Sequence, residues 1–434
     1  MFSNAYRRYV LGTLTLVYTL NFMDRGLIML LLQPIKDDLH LSDTQLGFLT
    51  GIAFGLFYAT LGLPIARWAD RGNRVTITAA AIGLWGVTVM LSLAVTNFVQ
   101  LLLARAAAAV GESGCLPPTY SLVGDYFPDA TERTRAMTIY CLASPFAALG
   151  SFVLGGSLNE HYGWRLTFFL MGIPALFVAL IVKATIMEPR VLLARQGVDR
   201  LNVTSGQPTV SDCLRTLWGQ RSSRHLAIGL VLLFTLGSGL GPWYAAFMIR
   251  SHGMGTAELG LWLGLIFSLG GILGILLGGY IATRWFAQNE RGQVCLGALT
   301  VVALVPCFAL FLFLPDRLYA LLALTPLIVV FSLFLGPIYA LLQRLVPDAM
   351  RATALALVML FANLVGMGLG PQVVGVLSDM FLPAFGTDSL KYAMLTTSLL
   401  AFWSAYHFWV ASKTVSQDLR RLVSTRCGKT FMVS

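Results

Sequence analysis

Twelve apolar segments recur along this 434-residue chain, at about 8–34, 43–68, 75–96, 98–123, 133–158, 164–187, 224–250, 256–284, 292–314, 317–343, 350–378 and 389–412. Charged residues or Pro and Gly separate each from the next. A bilayer core about 30 Å thick takes about 20 apolar residues to cross as a helix, and every segment is that long. Strict alternation over about ten residues, the mark of a membrane barrel, is absent from the sequence. Only 12% of the residues are charged, half of the roughly 25% found in soluble domains. That is too little charge to solvate a globule of this size, which excludes a soluble enzyme, a disordered chain and a nucleic-acid-binding domain. The expected fold is an all-α integral membrane protein with 12 transmembrane helices.

The basic residues give the orientation. The formal charge is +10. With both termini placed in the cytoplasm, 23 of the 30 Lys and Arg fall on that side. Five lie on the other side (Lys36, Arg165, Arg250, Arg317 and Lys391), and Arg25 and Arg105 lie inside spans. Such asymmetry places the N and C termini in the cytoplasm. The excess positive charge then faces membrane lipids, and no nucleic-acid partner is expected. The N-terminal Met-Phe-Ser-Asn-Ala-Tyr-Arg-Arg runs straight into the first span with no small-residue cleavage site, so no removed signal peptide is expected. The cysteines at 115, 141, 213, 295, 307 and 427 show neither metal nor disulfide spacing. The histidines at 40, 161, 225, 252 and 407 are dispersed. No metal and no other cofactor is expected.

The long polar stretch 189–223 divides the spans six and six. The expected domains are an N-terminal six-helix bundle at 1–188, a cytoplasmic linker at 189–223, a C-terminal six-helix bundle at 224–413 and a cytoplasmic tail at 414–434. The halves repeat at an offset near 216: Gly62, Ile65 and Ala66 correspond to Gly278, Ile281 and Ala282, and Arg135-Ala136 to Arg351-Ala352. Repeats of this kind build secondary transporters, with the binding site near the bilayer midplane. Gly47, Gly51 and Gly55, and again Gly270, Gly274 and Gly278, have the spacing that lets helices approach closely in lipid. Prolines within spans, such as Pro145, Pro174, Pro242, Pro306, Pro326, Pro337 and Pro371, are expected to bend or break them.

The segment from Gly62 through Asp70, Arg71 and Arg74 resembles the loop 2–3 signature of the major facilitator superfamily, and Glu188-Pro189-Arg190 resembles its shortened motif after span six. This resemblance implies the major facilitator fold and a functional monomer. It also implies a cytoplasmic gate in which Asp70, Arg71 and Arg74 act with Asp125 and Glu188. A narrower match is Asn21-Phe22-Met23-Asp24-Arg25 with Arg105, Gly111-Glu112 and Gly163-Trp164-Arg165. These resemble the spinster branch, which implies proton-linked transport of lysophospholipids or sphingosine phosphate. A bacterial-type homologue would lie in the cytoplasmic (inner) membrane.

Ionisable residues inside a span are costly and mark function by default. Four stand out: Asp24, Arg25, Arg105 and Glu112. Seven helical residues make nearly two turns, so Arg105 and Glu112 share a face about 10 Å apart, whereas Asp24 and Arg25 point about 100° apart. Two acids and two bases sum to zero, which makes burial tolerable. Shifted by 216, these positions become Leu321, Ile328, Leu240 and Gly241, so the charges belong to the first half and the second offers an apolar wall. One charged and one apolar side suit an amphiphile with an anionic headgroup.

The expected function is therefore proton-coupled secondary active transport of an anionic lipid by alternating access. Glu112 is the principal proton site and Asp24 the second, while Arg25 and Arg105 pair with them or with the headgroup. The alternative is a proton- or sodium-coupled symporter of a small organic anion. An integral-membrane lipid enzyme is disfavoured, because no clustered nucleophile and base is visible. There is no Walker sequence to power an ATP-driven pump. Tyr58, Thr119, Tyr120, Tyr140, Phe146, Trp243, Phe247, Asn363 and Gln372 are candidate cavity-lining residues.

Overall fold

The computed structural model describes residues 2–191 and 209–430, apart from the side chains of residues 59, 62, 63, 66, 67, 70, 71, 130, 349, 352 and 422–430. Among the described residues every regular element is helical. Helix α1 (Asn4–Leu39) starts where the Ser3 hydroxyl accepts from the Tyr6 N–H, and ends at His40 in the left-handed region. Its 36 residues span about 54 Å at 1.5 Å per residue, well over a bilayer core. The short α2 (Asp43–Phe48) opens on a reciprocal Ser42–Gln45 capping box. It runs through a π-helical turn, Leu49–Ala53, into α3 (Phe54–Arg71).

Four further helices complete the approach to the site. They are α4 (Arg74–Met90), α5 (Phe98–Ser113), α6 (Leu116–Tyr126) and α7 (Ala130–Cys141), with Asn73, Asn97 and Asp129 capping α4, α5 and α7. The 43-residue α8 (Ala143–Thr185) is interrupted at Gly163, whose φ of 75° is a conformation that glycine adopts at little cost. This is the boundary the sequence places between spans five and six.

Several spans that read as continuous are broken. The span at 98–123 divides at Gly114-Cys115. That at 224–250 divides at Gly241-Pro242, giving Arg221–Leu240 and Trp243–His252. Proline lacks an N–H to continue the ladder, which accounts for the second break. The span at 350–378 becomes Arg351–Phe361, a π-helical Ala362–Leu369 and Gly370–Phe385. Pro174, Pro306, Pro326 and Pro337 are carried inside helices. A helix at Val210–Gly219, opened by a Thr209–Asp212 capping box, lies within the polar stretch.

Nine helical stretches among the described residues are long and apolar enough to cross a membrane. Thr131–Val191 and Thr353–Arg421 are 61 and 69 residues long, room for two crossings each.

By packing, the described residues form two compact units: 2–191 with Pro242–Ser268, and 209–241 with Leu269 onward. In the first, α1 and α4 both pack on α8, α4 and α3 pack on α5, and Trp243–His252 lies against α1. Close approach of α4 and α5 depends on Gly111, where a Cβ would fall 2.7 Å from the backbone nitrogen of Trp85. In the second unit, Arg221–Leu240 and Glu290–Phe313 both pack on Leu400–Thr430. Gly274 and Gly278 meet the Val329 and Leu333 carbonyls there, so that part of the small-residue spacing is used for contact.

Candidate functional site

The four intramembrane charges meet inside the first unit as two ion pairs. Arg105 Nη1 donates to Asp24 Oδ2 at 2.6 Å, and Arg25 Nε donates to Glu112 Oε2 at 2.8 Å. The adjacent residues Asp24 and Arg25, aimed about 100° apart by the helix, each find a partner on α5. Side-chain exposure separates them: Glu112 is 0% exposed, Asp24 2% and Arg105 5%, whereas Arg25 retains 14%. Arg25 thus has the most open surface of the four.

Arg25 also sits in an aromatic cage. Its guanidinium carbon lies 4.8 Å from the Phe22 ring centre, 5.0 Å from Phe54 and 4.7 Å from Tyr58. Phe54 follows the π-helical turn and stacks on Tyr58 one turn later, so the local unwinding of this span aims both rings at the charge. π-Bulges recur at functional positions. Hydrogen-bonding capacity is left over: Arg25 Nη2, Arg105 Nε, Glu112 Oε1, Asp24 Oδ1 and both side-chain polar atoms of Asn21 are buried without a protein partner. Unpaired donors and acceptors at such depth are expensive structurally and available chemically.

At one end of this unit a second cluster forms around Arg74, the first residue of α4, whose side chain is fully buried. Its guanidinium pairs with Glu188 and, at 2.7 Å, with Asp125, while Nη1 donates to Ser121 Oγ at 2.7 Å. Glu188 also accepts from the Arg74 backbone N–H at 2.8 Å, placing negative charge at a helix N-terminus. The structure therefore joins Arg74, Asp125 and Glu188. Asp70 and Arg71 belong to the same expected gate, and their side chains lie outside the described residues.

The other end holds a cluster that the sequence reading missed. Asp43, with a 3% exposed side chain, accepts two bonds of 2.7 Å from Arg250 and one of 2.6 Å from Lys36. Arg250 Nε donates to Gln33. In the sequence Lys36 and Arg250 read only as charges on the far side of the membrane. The signal was the Ser-x-x-Gln capping box at 42–45, which starts a helix at Asp43 and so fixes that carboxylate beside the end of α1. Nearby, Thr256 Oγ1 donates to the Gly156 carbonyl and accepts from Asn159 Nδ2, both at 3.0 Å.

The remaining candidates disperse. Tyr58 lies on Arg25. Thr119 bonds the Tyr140 hydroxyl at 2.7 Å, and Tyr140 stacks on Tyr18 and meets Tyr120, an aromatic group one layer from the charges. Trp243 and Phe247 are buried and Phe146 is exposed. In the second unit, Asn363 donates to its own helix at Met359, and Gln372 Oε1 is buried without a partner. His225 and His407, far apart in sequence, meet at 2.8 Å between their Nδ1 atoms.

The family model for the major facilitator superfamily matches residues 14–371. The chain belongs to the major facilitator superfamily. Within it, the chain is 33% identical over 412 residues to an MFS-type efflux pump of Mycolicibacterium smegmatis, covering 94% of this chain and 93% of the pump. It is 25% identical to protein spinster homolog 1 of Xenopus tropicalis, covering 96% and 83% of the two chains. Its fold matches the crystal structure of a bacterial homologue of the human lysosomal transporter spinster, solved inward-facing and unoccupied. That match has a TM-score of 0.85 and 27% identity, over 96% of this chain and 99% of the other. The superfamily assignment makes the chain a multi-pass membrane transporter with the 12-helix major facilitator fold, of the spinster-like kind, in a family whose members are generally not enzymes.

Proposed function

We propose that the protein is a proton-coupled secondary active transporter of an anionic amphiphilic lipid, a lysophospholipid or a sphingosine-phosphate-like molecule. It works as a monomer by alternating access in a bacterial cytoplasmic membrane. The observation that carries this reading is Arg25. It is the most open of the four charges, caged by three aromatic rings, bonded to Glu112 through Nε and left with a free Nη2. While Glu112 is ionised it neutralises Arg25. A proton on Glu112 removes that counter-ion and frees the guanidinium for a phosphate, which it can bind bidentately. Asp24 stays on Arg105 as a fixed counter-ion.

The aromatic rings serve two ends, since they stabilise the cation and give apolar surface to the start of an acyl chain. The apolar residues at the matching positions of the second half support a lipid tail over a small polar anion. The Arg74, Asp125 and Glu188 cluster acts as the cytoplasmic gate with Asp70 and Arg71, and Asp43 with Lys36 and Arg250 closes the far end.

Binding separates lipid from small anion. Each buried CH₂ contributes about 0.8 kcal/mol, so four of them are worth about two-hundredfold in affinity. A lysophosphatidic acid is expected to raise the melting temperature of the purified protein at a concentration where glycerol phosphate, the same headgroup without a chain, does nothing. Arg25→Gln should abolish the rise. Equal stabilisation by the two compounds would replace the lipid reading with the small-anion symporter.

A further inference from the structure

Asp24 uses only half of its carboxylate on Arg105. Its other oxygen, Oδ1, is buried without a protein partner, and so is the indole Nε1–H of Trp85 on α4. Both residues line one internal cavity of about 10 Å³, with Leu20, Met23, Val89 and Met171 completing the wall. Asp24 is 4% exposed and Trp85 2% exposed, so bulk water does not solvate either group. The volume is close to that of a single water probe, and the two polar atoms are complementary, one a charged acceptor and the other a donor. The remaining wall is aliphatic or thioether and cannot satisfy a carboxylate.

We propose that this cavity is a site for one water molecule, which donates to Asp24 Oδ1 and accepts from Trp85 Nε1–H. Trp85 is then a positioning residue that acts on Asp24 through that water. Asp24 is the one charged group lining the cavity. The charges around it are Arg105, which it bonds, and the neighbouring Arg25–Glu112 pair; the faces presented by α4 and α8, Trp85, Val89 and Met171, are uncharged. With Arg105 on one oxygen and water on the other, both oxygens of Asp24 are hydrogen-bonded in the anionic form. The site therefore fixes the Asp24 carboxylate in the orientation that pairs it with Arg105. This rests on the roles proposed above for the two acids.

The test uses the full-length protein and two variants. Trp85→Phe keeps the ring and removes the donor; Val89→Leu adds one methylene to the cavity and leaves both polar atoms in place. A structure at a resolution that shows ordered water should contain a density feature within hydrogen-bond distance of both Asp24 Oδ1 and Trp85 Nε1, absent in each variant. Lysophospholipid exchange should slow severalfold in both, with the KM for the lipid unchanged. No such density in the wild-type protein overturns the site, and an unchanged exchange rate in both variants overturns its role. The density is read independently of transport, so a protein that moves some other substrate still reports on the water.

Discussion

Glu112→Gln is expected to leave substrate exchange intact while erasing the response of uptake to a pH gradient. Glutamine has nearly the same shape, keeps an oxygen to accept from Arg25 Nε, and cannot take up or release a proton. The variant imitates the protonated state, in which Arg25 is free for the headgroup, so counterflow of lysophospholipid should persist within about threefold of wild type. One pH unit across the membrane is worth about 1.4 kcal/mol, a tenfold accumulation for one proton per substrate. Wild-type proteoliposomes should approach that ratio, and Glu112→Gln should fall to equilibration. Gradient-driven accumulation surviving in the variant would move the proton site elsewhere, with Asp24 next in line.

The second large effect concerns the cluster at the start of α4. Arg74 is fully enclosed and holds Glu188, Asp125 and Ser121 together. Removing one partner of a buried pair costs about 3–5 kcal/mol, because the other charge stays buried without compensation. Arg74→Ala is therefore expected to lower the melting temperature by several degrees and to raise cysteine labelling near Asp125 from the cytoplasmic side. The double variant Arg74→Leu with Glu188→Leu should recover more than half of the lost stability, since apolar packing can replace such a pair. If it recovers stability while labelling stays high, the cluster is a gate as well as a structural tie. If Arg74→Ala changes neither quantity, the cluster is neither a gate nor a structural tie.

The sequence made much of this legible because lipid makes charge expensive. Asp24, Arg25, Arg105 and Glu112 stood out as four charges inside apolar segments, and the structure brings them together as two pairs. Helical geometry could say that Asp24 and Arg25 diverge by about 100°, but it could not assign partners, because that depends on how α1 packs beside α5. The sequence places a boundary between spans five and six at 158–164, and the break falls there at Gly163, whose φ of 75° a residue without a Cβ adopts cheaply.

Other features were hidden for physical reasons. The aromatic cage depends on the π-helical turn at Leu49–Ala53, which rotates Phe54 and Tyr58 relative to a regular helix, and no residue in Leu-Thr-Gly-Ile-Ala announces it. Trp85 read as one more apolar residue of span three; the structure places it on the wall of a cavity that Asp24 of another helix also lines. Asp43 and Arg250, 207 positions apart, are linked only by the packing of Trp243–His252 on α1. Long-range pairings of this kind are set by tertiary contacts and have no local signature.

In the proposed cycle a proton gradient drives an anionic amphiphile past the Arg25–Glu112 pair. The most direct measurement is uptake of a lysophospholipid into proteoliposomes, with and without an imposed pH gradient, beside a small dicarboxylate as control. Accumulation of the lysophospholipid is expected only with the gradient, with collapse when a protonophore is added and no uptake of the dicarboxylate. Lysophospholipid uptake indifferent to the gradient, or dicarboxylate uptake in its place, would contradict that cycle.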